Sequence, residues 1–274
     1  MVNSGDDLKL KEMKYFCGLI LFFLWFPVFS INYSDNKEEK STLKILCYNL
    51  RFGELASLEE LAAFIKEQEP DIVALQEVDN QTYREIAPHQ NGRDFATELG
   101  FYTGMIPLYG KTIPYRGGYY GIGILSKYPV SKVERIYLPL TENGREQRAV
   151  LIAEVEYKEG EYITFASTHL DYTNTEERQI QVQKLNEVLT ASSWPVVVAG
   201  DFNAVPESKE IKEGMSNWKI VSDMSPTVPA NAPKRVIDYI FCYPSDKWEK
   251  KNAETYQIGL SDHLPISVVV ELIP

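Results

Sequence analysis

Five short clusters of acids, amides and histidines stand where apolar runs end. Asn49 closes Leu46-Cys47-Tyr48-Asn49, and Glu77 closes Ala74-Leu75-Gln76-Glu77. Thr168-His169-Leu170-Asp171, Gly200-Asp201-Phe202-Asn203 and Ser261-Asp262-His263 are the other three. The carboxylates and amides offer hard oxygen ligands for a divalent cation. The histidines offer proton transfer near neutral pH. Each cluster alone has a plain structural reading. Asn49 could be a turn residue, and a lone histidine is usually part of the fabric of the fold. Glu77 says more, because a carboxylate at the edge of a core is costly unless it is paired or metal-bound. Only three histidines occur, and two of them, His169 and His263, fall in these clusters. Gly200-Asp201-Phe202-Asn203 is the most specific signal. If the strand runs through it, alternation puts Asp201 and Asn203 on one face, an anionic base beside a neutral donor. Gly200 permits a close backbone approach. In the next most specific cluster, Asp262 could ligate a metal or orient His263.

The elements that must position these residues can be read from apolar patterning. Leu43 to Tyr48 predicts a buried strand. Ser57 with Glu60 forms a capping box, followed by Leu58, Leu61, Ala62 and Ile65 on one helical face; Pro70 ends that helix. Asp71 to Gln76 predicts the next strand, and Asp94 to Leu99 a short helix. From Phe101 to Phe165 the pattern is mostly β, with strands at Tyr119–Leu125, Lys132–Leu138, Ala149–Tyr157 and Tyr162–Ser167. A helix is predicted over Thr175–Ala191, with Val182, Leu185, Val188 and Leu189 on one face. Strands at Pro195–Ala199, Val236–Cys242 and Leu264–Leu272 complete the chain. Ligand sites in α/β folds gather at strand ends, where these clusters lie.

The chain has 274 residues, 44% of them hydrophobic, so a sizeable core is expected and most of the chain should be ordered. Net charge is −11, with a pI near 4.9, a poor match for non-specific binding along a nucleic-acid backbone. Carboxylates gathered round a cation would still count as acidic here. Cys47 and Cys242 fall in predicted strands as small apolar residues, and no disulfide between them is expected. No Cys-x-x-Cys spacing suggests zinc or redox chemistry. At the start, Lys9, Lys11 and Lys14 precede an apolar run over residues 15–30, with Val28 and Ser30 small enough for a cleavage site. This predicts a secretory signal over residues 1–30, hence a secreted or periplasmic protein without a stable membrane anchor. An uncleaved membrane anchor is the alternative. Residues 31–42 read as a linker and residues 43–274 as one α/β domain.

Asn49, Gln76-Glu77, Thr168-His169-Leu170-Asp171, Gly200-Asp201-Phe202-Asn203, Ile237-Asp238-Tyr239-Ile240 and Ser261-Asp262-His263, taken in order, resemble the endonuclease/exonuclease/phosphatase superfamily. That group includes pancreatic-type deoxyribonuclease, abasic-site endonucleases, neutral sphingomyelinases and inositol-polyphosphate 5-phosphatases. The resemblance implies a four-layer α/β sandwich of two packed mixed sheets flanked by helices. It implies magnesium or manganese held by Glu77, with Asn49 and Asp262 in supporting metal positions. It makes Asp201 the residue that positions or deprotonates the attacking water. Asn203 becomes a donor to the phosphoryl oxygens and His169 a partner of the scissile phosphate. Asp238 and His263 become an acid–histidine pair. Arg148 falls where many members carry an arginine near the phosphate, although an exposed strand-end arginine would look the same. The implied reaction is hydrolysis of a phosphoester, on a small or lipid-linked phosphate, by in-line attack of activated water. A secreted nuclease of the same superfamily and a non-catalytic binding module are the alternatives. Extended duplex nucleic acid is not an expected partner, because neither a Lys/Arg-rich stripe nor DNA-gripping helical insertions are present.

Overall fold

The computed structural model describes residues 42–142 and 144–273. The expected signal and all but the last residue of the expected linker lie outside that range. Thr42 itself belongs to the first strand.

Two six-stranded sheets carry the chain. The first is built from β1 (Thr42–Asn49), β2 (Ile72–Asn80), β3 (Ile106–Tyr115), β4 (Gly118–Ser126), β11 (Trp248–Thr255) and β12 (Ile266–Leu272). The second is built from β5 (Val130–Tyr137), β6 (Ala149–Lys158), β7 (Glu161–His169), β8 (Val196–Asp201), β9 (Lys219–Ile220) and β10 (Asp238–Tyr243). Their orders are β11-β12-β1-β2-β4-β3 and β5-β6-β7-β8-β10-β9. Each has one parallel pair at its centre, β1 with β2 and β7 with β8, and antiparallel pairs elsewhere. A helix bridges each parallel pair, as parallel strands require: α1 (Leu58–Gln68) and α3 (Thr175–Leu189).

Alternation along the central strands explains the layers. Ile45 and Cys47 face the second sheet and join Ile122, Leu151, Phe165 and Val197 in one core. Leu46 and Tyr48 point the other way, onto Leu61 and Ile65 of α1 and onto Phe95 and Leu99 of α2 (Phe95–Thr103). On the second sheet, Val198, Tyr239 and Phe241 meet Val182 and Leu185 of α3 and Ile211 of α4 (Lys209–Lys212). The result is helix, sheet, sheet, helix, the four-layer sandwich that the resemblance implies. Strands buried on both faces read as unbroken apolar runs, which is why they are legible in sequence.

Helix starts follow the side-chain chemistry. Ser57 accepts from the Glu60 amide and Glu60 returns a bond to the Ser57 amide, so the capping box forms. Leu58, Leu61 and Ile65 are then fully buried, each contributing about 1.5–3 kcal/mol. Asn174 caps α3 through the Glu176 and Glu177 amides. That helix ends at Leu189, two residues short of the expected Ala191.

Four expectations are corrected. α2 runs to Thr103, because the stop is left-handed Gly104 and not Leu99; Phe101 is therefore helical, not the start of the β region. β2 does not end at Gln76 but continues through a bulge to Asn80. β3 and β11 have no individual signal in sequence. β3 carries two prolines and β11 is charged and largely exposed, both being edge strands. Finally, β8 ends at Asp201, so strand alternation does not place Asn203 beside it. Cys47 and Cys242 are free and buried. Among the described residues, no helix is long and apolar enough to cross a membrane.

Candidate active site

The two parallel pairs bring their ends together. Asn49 and Gln76 are register partners at the end of β1 and β2. His169, Asp201 and Asp238 are neighbours at the ends of β7, β8 and the start of β10. Gln76 bridges the sheets: its Nε2 donates to Ser167 Oγ at 3.3 Å. Gly200 is required where β8 passes β7, since a Cβ there would lie 2.1 Å from the Thr168 carbonyl oxygen.

Asp201 is the hub, and it is 1% exposed. Its Oδ2 accepts from Asn49 Nδ2 at 3.1 Å. The same oxygen lies 3.4 Å from His169 Nε2 and 3.7 Å from His263 Nε2. Its Oδ1 accepts from the Asn203 backbone amide at 2.8 Å. Asn203 has φ +50°, so a left-handed turn, not strand pleating, folds it back onto Asp201. Its side chain donates one hydrogen to the Leu170 carbonyl at 3.1 Å.

Glu77 reaches the cleft by a comparable device. It sits in the β2 bulge with φ +55°, beside Asn49 Nδ2 at 3.3 Å. A bulge re-aims a side chain that regular pleating would send elsewhere. Burial raises the Glu77 carboxyl above its usual range, against the pull of His263 and Asn49. Asn49 turns its nitrogen to Glu77 and Asp201 and its Oδ1 to the Arg51 amide at 3.0 Å. It thereby orients two carboxylates. Asp262 is paired with Arg51, which also holds Glu54. Asp262 lines a separate pocket of about 380 Å³ with Arg51, Leu55 and Asn231.

The histidines differ in charge. His263 Nδ1 lies 2.9 Å and 3.2 Å from the two oxygens of Asp238, which Thr227 Oγ1 also holds, at 2.5 Å. Burial alone would lower the His263 pKa, but Asp238 and Asp201 outweigh it and push it up to about 10. His263 is an imidazolium at neutral pH. For His169, burial, then the charges of Arg148 and His263, hold the pKa well below 6.5. Arg148 Nη1 lies 3.3 Å from His169 Nδ1. A guanidinium only donates, so the neutral ring carries its hydrogen on Nε2, towards Asp201. Asp201 itself is raised, by burial and then by Asp238, with His263 opposing.

Glu77, Arg148, His169, Asp201, Asn203 and His263 all line one cleft of about 300 Å³. Asn49 and Asp238 stand behind it, joined by the hydrogen bonds above. Sequence reading passed over three further lining residues, Tyr120, Glu146 and Tyr172. Glu146 lies two residues before Arg148, a visible hint; the two tyrosines give none. Arg148 is not an exposed strand-end residue but is 3% exposed, 2.8 Å from Glu146 Oε1.

Two groups of atoms could hold a cation. Glu77 presents a carboxyl oxygen beside Asn49, with no positive group bonded to it among the described residues. The ligating atoms of Asp201, Asp238 and His263 also lie within 4.8 Å of one another. His263 protonated on both nitrogens is a poor ligand, because a metal takes neutral imidazole. The Glu77 carboxylate is the better fit for a hard cation; Asn49, whose nitrogen faces it, would add an oxygen only with its amide turned over.

The model of the Endonuclease/Exonuclease/phosphatase family matches residues 46–263, and the chain belongs to that family. The uncharacterized protein YbhP of Escherichia coli is 26% identical over 265 residues, 86% of this chain and 99% of YbhP. An endonuclease/exonuclease/phosphatase structure from Beutenbergia cavernae superposes with TM-score 0.70 at 19% identity, over 85% of this chain and 72% of that one. A mannosyl-6-phosphatase of Bacteroides thetaiotaomicron superposes with TM-score 0.66 at 17% identity, over 83% and 99%. At such identities the superpositions show the fold alone.

Proposed function

We propose that the protein is a metal-dependent phosphoesterase that hydrolyses a small or lipid-linked phosphate ester by in-line attack of water. The observation that carries this reading is the meeting of Asn49, His169 and His263 on one carboxylate oxygen of Asp201, with Glu77 alongside. Magnesium or manganese at Glu77 would supply charge neutralisation at the phosphoryl oxygens. Asp201, with its raised pKa, takes the proton of the attacking water. Neutral His169 donates through Nε2, and Asn203 keeps its second amide hydrogen for a phosphoryl oxygen. Arg148 adds a fixed positive charge in the same wall of the cleft. The His263 imidazolium, charged and oriented by Asp238, opposes the negative charge that builds up as the ester bond breaks.

The test is hydrolysis of an aryl phosphodiester and an aryl phosphomonoester by purified protein, with magnesium and with chelator. Turnover that needs magnesium and is lost in Asp201→Asn is expected. No turnover under either condition would overturn the reading and favour a binding module on this scaffold.

A further inference from the structure

We propose that Arg84 and Glu146 form a specificity subsite beside the catalytic cleft that reads the hydroxyl groups of a ring esterified to the phosphate. This rests on the phosphoesterase reading and specifies the alcohol half of its substrate.

A smaller pocket, about 120 Å³, adjoins the cleft and shares Glu77, Tyr120 and Glu146 with it. Phe52, Arg84, Ile113 and Tyr115 complete its wall. Arg84 is fixed in place there. Its guanidinium lies 3.9 Å over the Phe52 ring and 4.3 Å over the Tyr115 ring. Its Nε and Nη2 clasp the buried Asp79 carboxylate at 2.6 Å and 3.0 Å. That leaves Nη1, with two N–H groups, free of hydrogen bonds among the described residues. Glu146 provides the complementary feature. Its Oε1 is near Arg148 but off hydrogen-bonding geometry, so it is a buried acceptor without a hydrogen bond. The pocket thus holds a fixed donor with hydrogens to spare and a buried acceptor without a hydrogen bond, and leaving the buried acceptor unmatched is costly unless a ligand completes it.

The chemistry of the walls narrows the ligand. Arg84 is paired with Asp79 and Glu146 with Arg148, so away from the Glu77 end the pocket offers hydrogen bonds from paired charges. A second phosphate finds no unpaired cationic side chain there among the described residues. A quaternary amine gains no free aromatic cage, because Arg84 already occupies it. A flat base finds the Phe52 and Tyr115 faces covered by the same guanidinium. Vicinal hydroxyls, each both donor and acceptor, satisfy Arg84 and Glu146 together, while Ile113 and the tyrosine rings meet the C–H edges of the ring. A sugar and a cyclitol share this chemistry.

The test compares kcat/KM, with magnesium, for hexose 6-phosphate and myo-inositol 1-phosphate against phenyl phosphate, each also offered as its phenyl diester. The ring substrates are expected to lead by about tenfold or more, and Glu146→Gln and Arg84→Lys should each cut that ratio by about tenfold, through KM. The sugar and cyclitol arms tell the two sources apart. Equal turnover of ring and phenyl esters, or a ratio unchanged in both variants, overturns the subsite and leaves the phosphoesterase reading standing. If no ester is hydrolysed, that reading fails first. Calorimetric binding of a hexose 6-phosphonate against phenylphosphonate then decides the subsite alone, equal affinities overturning it.

Discussion

Replacing Asp238 by Asn keeps the shape of the group that holds His263 Nδ1 and removes its charge. Asp238 is the first of the three carboxylates that push the His263 pKa from 6.5 up to about 10, against burial. Without it, burial is opposed by Asp201 and, more weakly, by Asp262. A fall to about 7 would leave roughly 1% of His263 protonated at pH 9, against roughly 90% in the parent. At pH 6 both proteins would be at least about 90% protonated. If the imidazolium serves turnover, the variant's deficit in kcat/KM is therefore small at pH 6, about tenfold at pH 8 and about 100-fold at pH 9. The direction follows from the sign of the shift: a raised pKa keeps the charged form through neutrality and loses it as pH rises through the folded-state value. Initial rates on an aryl phosphodiester from pH 5.5 to 9.5, at saturating magnesium, give the profile. Proton NMR of the imidazole in chelator gives the pKa directly. Two profiles of the same shape, offset by a constant factor, would refute the reasoning and leave Asp238 with orientation only.

Three further outcomes are expected. Glu77→Gln weakens magnesium binding by an order of magnitude or more in calorimetry, with the circular dichroism spectrum kept; unchanged affinity would move the cation elsewhere. Gly200→Ala, whose new Cβ would meet the Thr168 carbonyl oxygen at 2.1 Å, lowers stability by about 1–3 kcal/mol or more in urea denaturation. An unchanged midpoint would show that β7 and β8 can part without penalty. Plasmid DNA is expected to survive incubation with the protein and magnesium at ~0.15 M salt, since a net charge of −11 disfavours binding along a duplex backbone; rapid degradation would make it a nuclease.

Much of the fold was legible because its central strands are buried on both faces. Leu43 to Tyr48 and Val196 to Ala199 could hardly be anything but core. The helix starts were legible where a side chain caps a backbone amide, as at Ser57. The edge strands β3 and β11 were not, since Trp248–Thr255 needs no apolar face to pair with β12. The site residues stood out by type, but two of their placements depend on backbone turns that types do not reveal. Glu77 and Asn203 both reach the cleft through positive φ, a conformation that neither residue type nor alternation announces. Arg84 stayed hidden because its place beside the cleft comes from packing between segments distant in the chain, while Glu146 offered only its nearness to Arg148.

The division of the site between the sheets has a consequence for how the protein would fail. Asn49 and Glu77 ride on one sheet; His169, Asp201 and Asp238 ride on the other. The 3.1 Å bond from Asn49 to Asp201 and the 3.3 Å bond from Gln76 to Ser167 cross the divide. Ser167 also donates to the Leu75 carbonyl, and Arg135 and Lys219 reach the Lys111 and Trp248 carbonyls near the sheet edges, but the core between the sheets is apolar, and its packing has no direction. On the proposed phosphoesterase reading, turnover would work as a vernier on their alignment. A slip of a fraction of an ångström would spoil the catalytic geometry while every strand kept its ladder. Mild denaturant, or a cavity cut at Phe165 well inside the sandwich, should silence the enzyme before its secondary structure melts.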